Sequence, residues 1–186
     1  MDKDKKNELV SSWSRNVIDE YKSLNDEEIR QKLREKSLPF AVAMEQWIGE
    51  FNFGTLIRNA NAFGAKHIYY VGLKHFDKRG AVGVYNYSTV THFKTILEFE
   101  RNLRTDYSFI GFENIKGSVP LETFEWPKNP LMIFGEEGIG LTKEMMALCD
   151  VIVEIKQIGS VRSLNAACAS AIAMYDFMTK LRNTNV

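Results

Sequence analysis

Three segments of the chain combine glycine with amide, carboxylate or guanidinium side chains in patterns that a plain turn does not require. In the first, Asn52, Gly54 and Arg58 sit where an apolar run gives way to a helical one. Free backbone N–H groups at such a turn can hold an anion. Arg58 follows one helical turn on, and a guanidinium keeps its charge and forks onto phosphate. In the second, Gly135, Gly138 and Gly140 alternate with Glu136 and Glu137. That backbone must bend sharply or lie against a ligand. It lacks the Lys-Ser/Thr of a phosphate loop, and two carboxylates would repel phosphate. They suit hydroxyls, amines or a cationic centre instead. The third runs from Ile155 through Gly159, Arg162 and Ser163 to Asn165. Ser163 or Asn165 can cap the helix that follows, which accounts for one of them but not for both. Each segment also has an ordinary reading: a surface arginine, a helix-entry turn, a helix cap.

The elements that must position these segments are legible as short apolar runs alternating with helical stretches. Strands are predicted over 39–47, 67–72, 107–113, 130–134 and 151–155, and helices over 55–65, 142–149 and 163–181. Strands this continuously apolar, separated by helices, imply an α/β fold with a parallel sheet covered on both faces. Ligands of such sheets bind outside the carboxyl ends of the strands, where all three segments fall. The last helix carries Ala166, Ala167, Ala169, Ser170, Ala171 and Ala173, so another element must pack very closely against it.

Residues 1–38 are polar and mixed in charge and are read as a helical extension to a domain over 39–186. Trp13, Val17, Tyr21 and Leu24 share one face at helical spacing. Asn25 with Glu28 resembles a capping box opening a short helix with Ile29 and Leu33, which Pro39 ends.

The 186 residues suit one domain with an extension, and 45% are hydrophobic. Lys and Arg number 24, as do Asp and Glu, so the formal net charge is zero. A nucleic-acid role then needs locally concentrated positive charge. Cys149 and Cys168 show no paired spacing, which fits a reduced, cytoplasmic setting, and both are read as buried packing residues. No apolar run is long enough to span a membrane, and His67, His75 and His92 lack metal-ligand spacing. No metal is expected.

Taken in order, the three segments resemble the motifs of the SPOUT superfamily, specifically its TrmH-like (SpoU) branch of RNA ribose 2′-O-methyltransferases. Asn52, Gly54, Arg58 and Ala60 match the first motif. Gly135, Glu137, Gly138, Gly140 and Leu141 match the second, and Ser163, Leu164 and Asn165 the third. Lys156 departs from the proline common at its position. The resemblance implies a mostly parallel six-stranded sheet, helices on both faces and a C-terminal trefoil knot. It implies S-adenosyl-L-methionine as cofactor, cradled by backbone at Gly135, Ile155 and Leu164 with Ser163 nearby, and a homodimer. It also implies a catalytic set of Arg58, Asn52, Glu137, Ser163 and Asn165. A guanidinium is almost always protonated, so Arg58 is assigned to clamp the phosphate beside the target ribose. Ser163 and Asn165 would orient Arg58 or the ribose, and Glu137 would fix the loop or Asn52.

The wording around Ile155–Asn165 places transfer RNA before ribosomal RNA as the substrate. Lys78, Arg79 and Arg162 are the candidate RNA contacts, although a solvated loop explains Lys78 and Arg79 equally well. Two other readings stay open: a catalytically inactive SPOUT-like RNA-binding protein, and a small-molecule nucleotide enzyme on an unrelated doubly wound sheet.

Overall fold

The computed structural model describes residues 16–47 and 51–184. The chain enters with a single 3-10 turn, Asp19–Tyr21, followed by helix α1, Asp26–Glu35. Asn25 does start that helix. Its side-chain oxygen accepts from the N–H of Glu27 and of Glu28, and the Glu28 carboxylate accepts from Asn25 N–H in return, a complete capping box. The helix expected upstream of it is corrected over the described residues. Val17, Tyr21 and Leu24 reach the core from a turn and its flanks, so their spacing reflects packing rather than a continuous helix. Trp13 lies outside the described residues.

Seven parallel strands form one sheet: β1 Leu38–Gln46, β2 Ala65–Gly72, β3 Val90–Phe93, β4 Ser108–Phe112, β5 Val119–Pro120, β6 Pro130–Phe134 and β7 Val151–Glu154. Their order is β3-β2-β1-β6-β4-β7-β5. The six-stranded sheet implied by the resemblance is therefore exceeded by one. The two-residue β5, which pairs only with the edge of β7, is too short to leave a sequence pattern. The remaining helices are α2 Asn52–Ala62, α3 Ile96–Leu103, α4 Lys143–Leu148 and α5 Ala166–Thr184.

Strand alternation sorts the apolar residues onto two faces. Phe40, Val42 and Met44 of β1 join Phe53, Leu56, Ile57 and Ala60 of α2 and Ala173, Met174 and Phe177 of α5 in one core. Ala41 and Ala43 join Phe99 and Leu103 of α3 and Met145 of α4 in the other. Tyr21 and Ile29 belong to the first core, so the described part of the N-terminal segment, from residue 16 on, is packed onto the sheet.

The small residues of α5 have their explanation in α2. Asn59 donates from Nδ2 to the Ala167 carbonyl at 2.8 Å and to Ser170 Oγ at 3.3 Å. Larger side chains at Ala167 or Ser170 would hold the helices apart. Cys149 is half-buried, with Sγ 3.3 Å from the Met145 carbonyl, and burial pushes its thiol up to about 12. Cys168 is exposed, which corrects the expectation of a buried packing residue: it falls on the α5 side facing away from the sheet.

Candidate functional site

The loops after β4, β6 and β7 surround a cleft of about 240 Å³ at the carboxyl ends of those strands. Its apolar walls come from Phe112, Phe134, Val153, Ile155 and Leu164. The Phe112 and Phe134 rings stack with centroids 4.8 Å apart. Its polar edge is made by Glu113, Glu137, Gln157, Arg162 and Ser163.

The glycine loop between β6 and α4 folds back on itself. Gly140 N–H donates to the Glu136 carbonyl at 2.8 Å, and a Cβ on Gly135 would fall 2.1 Å from the Gly140 carbonyl carbon. Only glycine fits at 135, because what it would strike is backbone. Gly138 and Gly140 lie at φ of 91° and 74°, in the left-handed region that glycine tolerates.

Carboxylates from three directions fix this loop. Glu113, at the end of β4, accepts from Leu141 N–H at 3.0 Å. Glu45, fully buried near the end of β1, accepts from Thr142 N–H at 2.7 Å and from the Thr142 hydroxyl at 2.8 Å. Glu136, also buried, accepts from Trp47 N–H at 3.1 Å. Hydrogen bonds to ionised acceptors are about twice as strong as neutral ones. Sequence reasoning missed Glu45, Glu113 and Gln157. A lone carboxylate at the end of the apolar run AVAMEQW was the available signal for Glu45.

At the cleft rim, Asn52, Glu137 and Asn165 form a closed triangle. Asn52 Nδ2 donates to Glu137 Oε2 at 2.6 Å, and Asn165 Nδ2 donates to that same oxygen at 3.0 Å and to Asn52 Oδ1 at 2.8 Å. Asn165 Oδ1 meanwhile accepts from Ala167 N–H at 3.0 Å and Cys168 N–H at 3.3 Å. One side chain thus caps α5 and joins the three segments.

Gly135, Ile155, Leu164, Ser163 and Arg162 all line the cleft, and Ser163 and Arg162 are exposed at its rim. Gly54 is a packing residue: a Cβ there would meet the Asp77 carbonyl oxygen at 2.6 Å, so it lets α2 cross the 3-10 turn Lys78–Ala81. Arg58 does not line the cleft of its own chain. It lies six residues beyond Asn52, about 120° around the helix, and is exposed without a hydrogen bond or ion pair to any described residue. Lys78 sits 4.3 Å from the Tyr85 ring centroid. Arg79 donates to both Asp77 carboxylate oxygens, from Nη2 to Oδ2 at 2.5 Å and from Nε to Oδ1 at 3.0 Å, and the guanidinium holds the Asp77 carboxyl below the usual carboxylate range. The charge of Arg79 is therefore partly neutralised. Among the described residues no group of His, Cys, Asp and Glu could hold a metal ion.

Comparison with known proteins gives a consistent picture. The family model described as the SpoU rRNA Methylase family matches residues 39–175. A Bacillus subtilis protein named as a TrmH family tRNA/rRNA methyltransferase is 28% identical, with 87% of this chain covering 66% of its length. The Escherichia coli tRNA (guanosine(18)-2′-O)-methyltransferase is 25% identical, with 85% of this chain covering 71% of that protein. Among solved structures, an AdoMet-bound rRNA methyltransferase from Sinorhizobium meliloti superposes with a TM-score of 0.69 at 26% identity, covering 80% of this chain and 60% of that one. The chain therefore spans about two thirds of the length of these relatives, and slightly less for the first and third.

Proposed function

The chain belongs to the SpoU rRNA methylase family, and from that premise we propose that it transfers a methyl group from S-adenosyl-L-methionine to a ribose 2′-hydroxyl of structured RNA. The observation that carries this reading is the cleft flanked by the Asn52–Glu137–Asn165 triangle, on which all three segments converge. The residues present fit the cofactor. Phe112, Phe134, Ile155 and Leu164 offer an apolar slot for a planar base. Gln157 Oε1 is a buried acceptor without a hydrogen-bond partner among the described residues, suited to an amine, and the Glu113 and Glu137 carboxylates suit hydroxyls or a cationic centre. When bound, the cofactor would supply an electrophilic methyl group on a sulfonium.

The chain's own groups supply alignment, which alone contributes several kcal/mol to such a displacement. Gly135, Ile155 and Leu164 shape the slot, and Ser163 stands at its rim to orient the ribose. Asn52 and Asn165 are locked through Glu137 and tie the three segments into one frame. Arg58, exposed and without a hydrogen bond or ion pair to any described residue, clamps the phosphate next to the target ribose from outside the cleft of its own chain, and the hydroxyl proton leaves to that phosphate or to water. Arg162 at the rim and Lys78 with Arg79 beyond it meet further phosphates, whose contacts dominate affinity for RNA.

Transfer RNA is placed before ribosomal RNA on the wording of Ile155–Asn165, and relatives named for each substrate are found. Residues 1–38 are taken as an extension and 39–186 as the methyltransferase domain. The segments 130–142 and 151–166 are taken as the threaded part of a trefoil knot, a reading supported by their sharing one cleft. A cytoplasmic homodimer completes the proposal. Its support is the outer face of α5, where exposed Ile172 and Tyr175 join Leu121 and Ile155 around an apolar groove.

The test is methyl transfer from labelled S-adenosylmethionine to bulk RNA, followed by nucleoside analysis for 2′-O-methylation. Arg58→Ala is expected to abolish transfer while affinity for S-adenosylhomocysteine persists. Undiminished turnover would remove Arg58 from the mechanism, and wild-type protein that methylates no RNA would end the proposal.

A further inference from the structure

We infer that the open face of Trp47 is a stacking surface for an unpaired base of the RNA, beside the reacting ribose; this rests on the methyltransferase reading above. Trp47 lies one residue past β1 and is held on three sides. Its backbone N–H donates to Glu136 Oε2 at 3.1 Å and its indole Nε1–H donates to Glu45 Oε1 at 3.2 Å. Its ring edge rests on Gly72: a Cβ there would fall 2.9 Å from Trp47 Cε3, at a φ of 110° that only glycine takes readily. Despite this bracing the residue remains 38% exposed. Both N–H groups of Trp47 are satisfied by buried carboxylates, so the indole is held through its nitrogen edge and the exposed part of the ring is apolar carbon. A ring immobilised before its ligand arrives loses little further side-chain entropy on stacking.

The surroundings point to nucleic acid. The Glu136 contact puts Trp47 beside Glu137, which holds Asn52, and half-exposed Phe51 precedes Asn52 in the chain. The Arg79 guanidinium lies 5.9 Å from the Phe51 ring centroid, and the Lys78 ammonium lies over Tyr85. Aromatic faces interleaved with cations match a strand that alternates planar bases with phosphates. Glu45 and Glu136 are buried against loop amides, Glu137 is engaged by Asn52 and Asn165, and Asp77 offsets part of the Arg79 charge. A base inside a duplex keeps its faces against its neighbours, so the partner is a looped-out or single-stranded nucleotide.

The experiment uses the full chain and a fluorescently labelled, mixed-sequence single-stranded RNA oligonucleotide, with S-adenosylhomocysteine titrated separately by calorimetry. Trp47→Ala is expected to weaken oligonucleotide binding about tenfold, the order of one lost base–aromatic stack. Trp47→Phe should keep most of the affinity, and S-adenosylhomocysteine binding should be unchanged in both. Should Trp47→Ala fail to fold, the wild-type minus Trp47→Phe fluorescence difference reads the stack directly, and it is expected to be quenched by the oligonucleotide. Unaltered RNA binding by Trp47→Ala, an unquenched difference signal, or equal loss of RNA and S-adenosylhomocysteine affinity would overturn the inference, the last by making Trp47 a brace of the cofactor loop. A wild-type protein that binds no RNA would instead overturn the methyltransferase reading itself.

Discussion

Asn165 does two jobs with two atoms, and two substitutions can separate them. Its Oδ1 caps α5 through Ala167 and Cys168, while its Nδ2 binds Asn52 and Glu137. Asn165→Ala removes both. Loss of an N-cap costs about 1 kcal/mol, and loss of the two hydrogen bonds donated to Glu137 and Asn52, which stay bonded to each other, costs about 1 kcal/mol more. The sum, about 2 kcal/mol, should lower Tm by roughly 4–8 °C for a chain of this size. Asn165→Asp keeps the cap, and a negative charge suits a helix N-terminus, but it replaces the donor with a carboxylate facing Glu137. Its stability should fall by about half as much, while methyl transfer should fall as far as in Asn165→Ala, by about a hundredfold if the frame shifts by an ångström. Urea denaturation and single-turnover methylation of both variants provide the measurement. If Asn165→Asp turns over like wild type, the triangle is only a helix cap and has no part in aligning substrate.

Three further outcomes follow from the packing and the titrating groups. Gly135→Ala drives a Cβ into the backbone of Gly140 and Leu141; the loop must open, and calorimetry should show S-adenosylhomocysteine affinity reduced at least about tenfold, with about 1–3 kcal/mol of stability lost to overpacking. Burial, with Arg34 and Lys66 nearby, holds the His67 imidazole below its usual value of 6.5. The unfolded chain then binds a proton that the folded one refuses, so stability should fall as pH drops from about 6.5 through the depressed folded value, and His67→Gln should flatten that slope in urea titrations. With Cys149 pushed up to about 12 and Cys168 exposed, a disulfide reagent at pH 8 should label one thiol quickly in the native protein and the second only on unfolding. Two equally fast thiols would contradict the placement of Cys149.

How much was legible in the sequence depended on whether a residue's partner was local. Asn25 and Glu28 cap α1 within one turn of chain, and the apolar runs that became β1, β2, β4, β6 and β7 are continuous, so both could be read directly. β3 and β5 are four and two residues long and take their order from neighbouring strands, so no periodicity announced them. The site divides the same way. Glycines 135, 138 and 140 were conspicuous by spacing, but their reason is a backbone crossing and two positive φ values, which only the folded loop displays. Glu45 went unread because its partner, Thr142, lies 97 positions away and supplies both donors only in the folded chain. A buried carboxylate left unpaired would cost several kcal/mol, so Glu45 and the glycine loop can only have been shaped together. The same dependence runs from Glu45 to the indole of Trp47. The interior of the cofactor loop and the outer face offered to RNA are thus fixed by one carboxylate, and Glu45→Gln, which turns one acceptor oxygen into a donor, should disturb both surfaces at once.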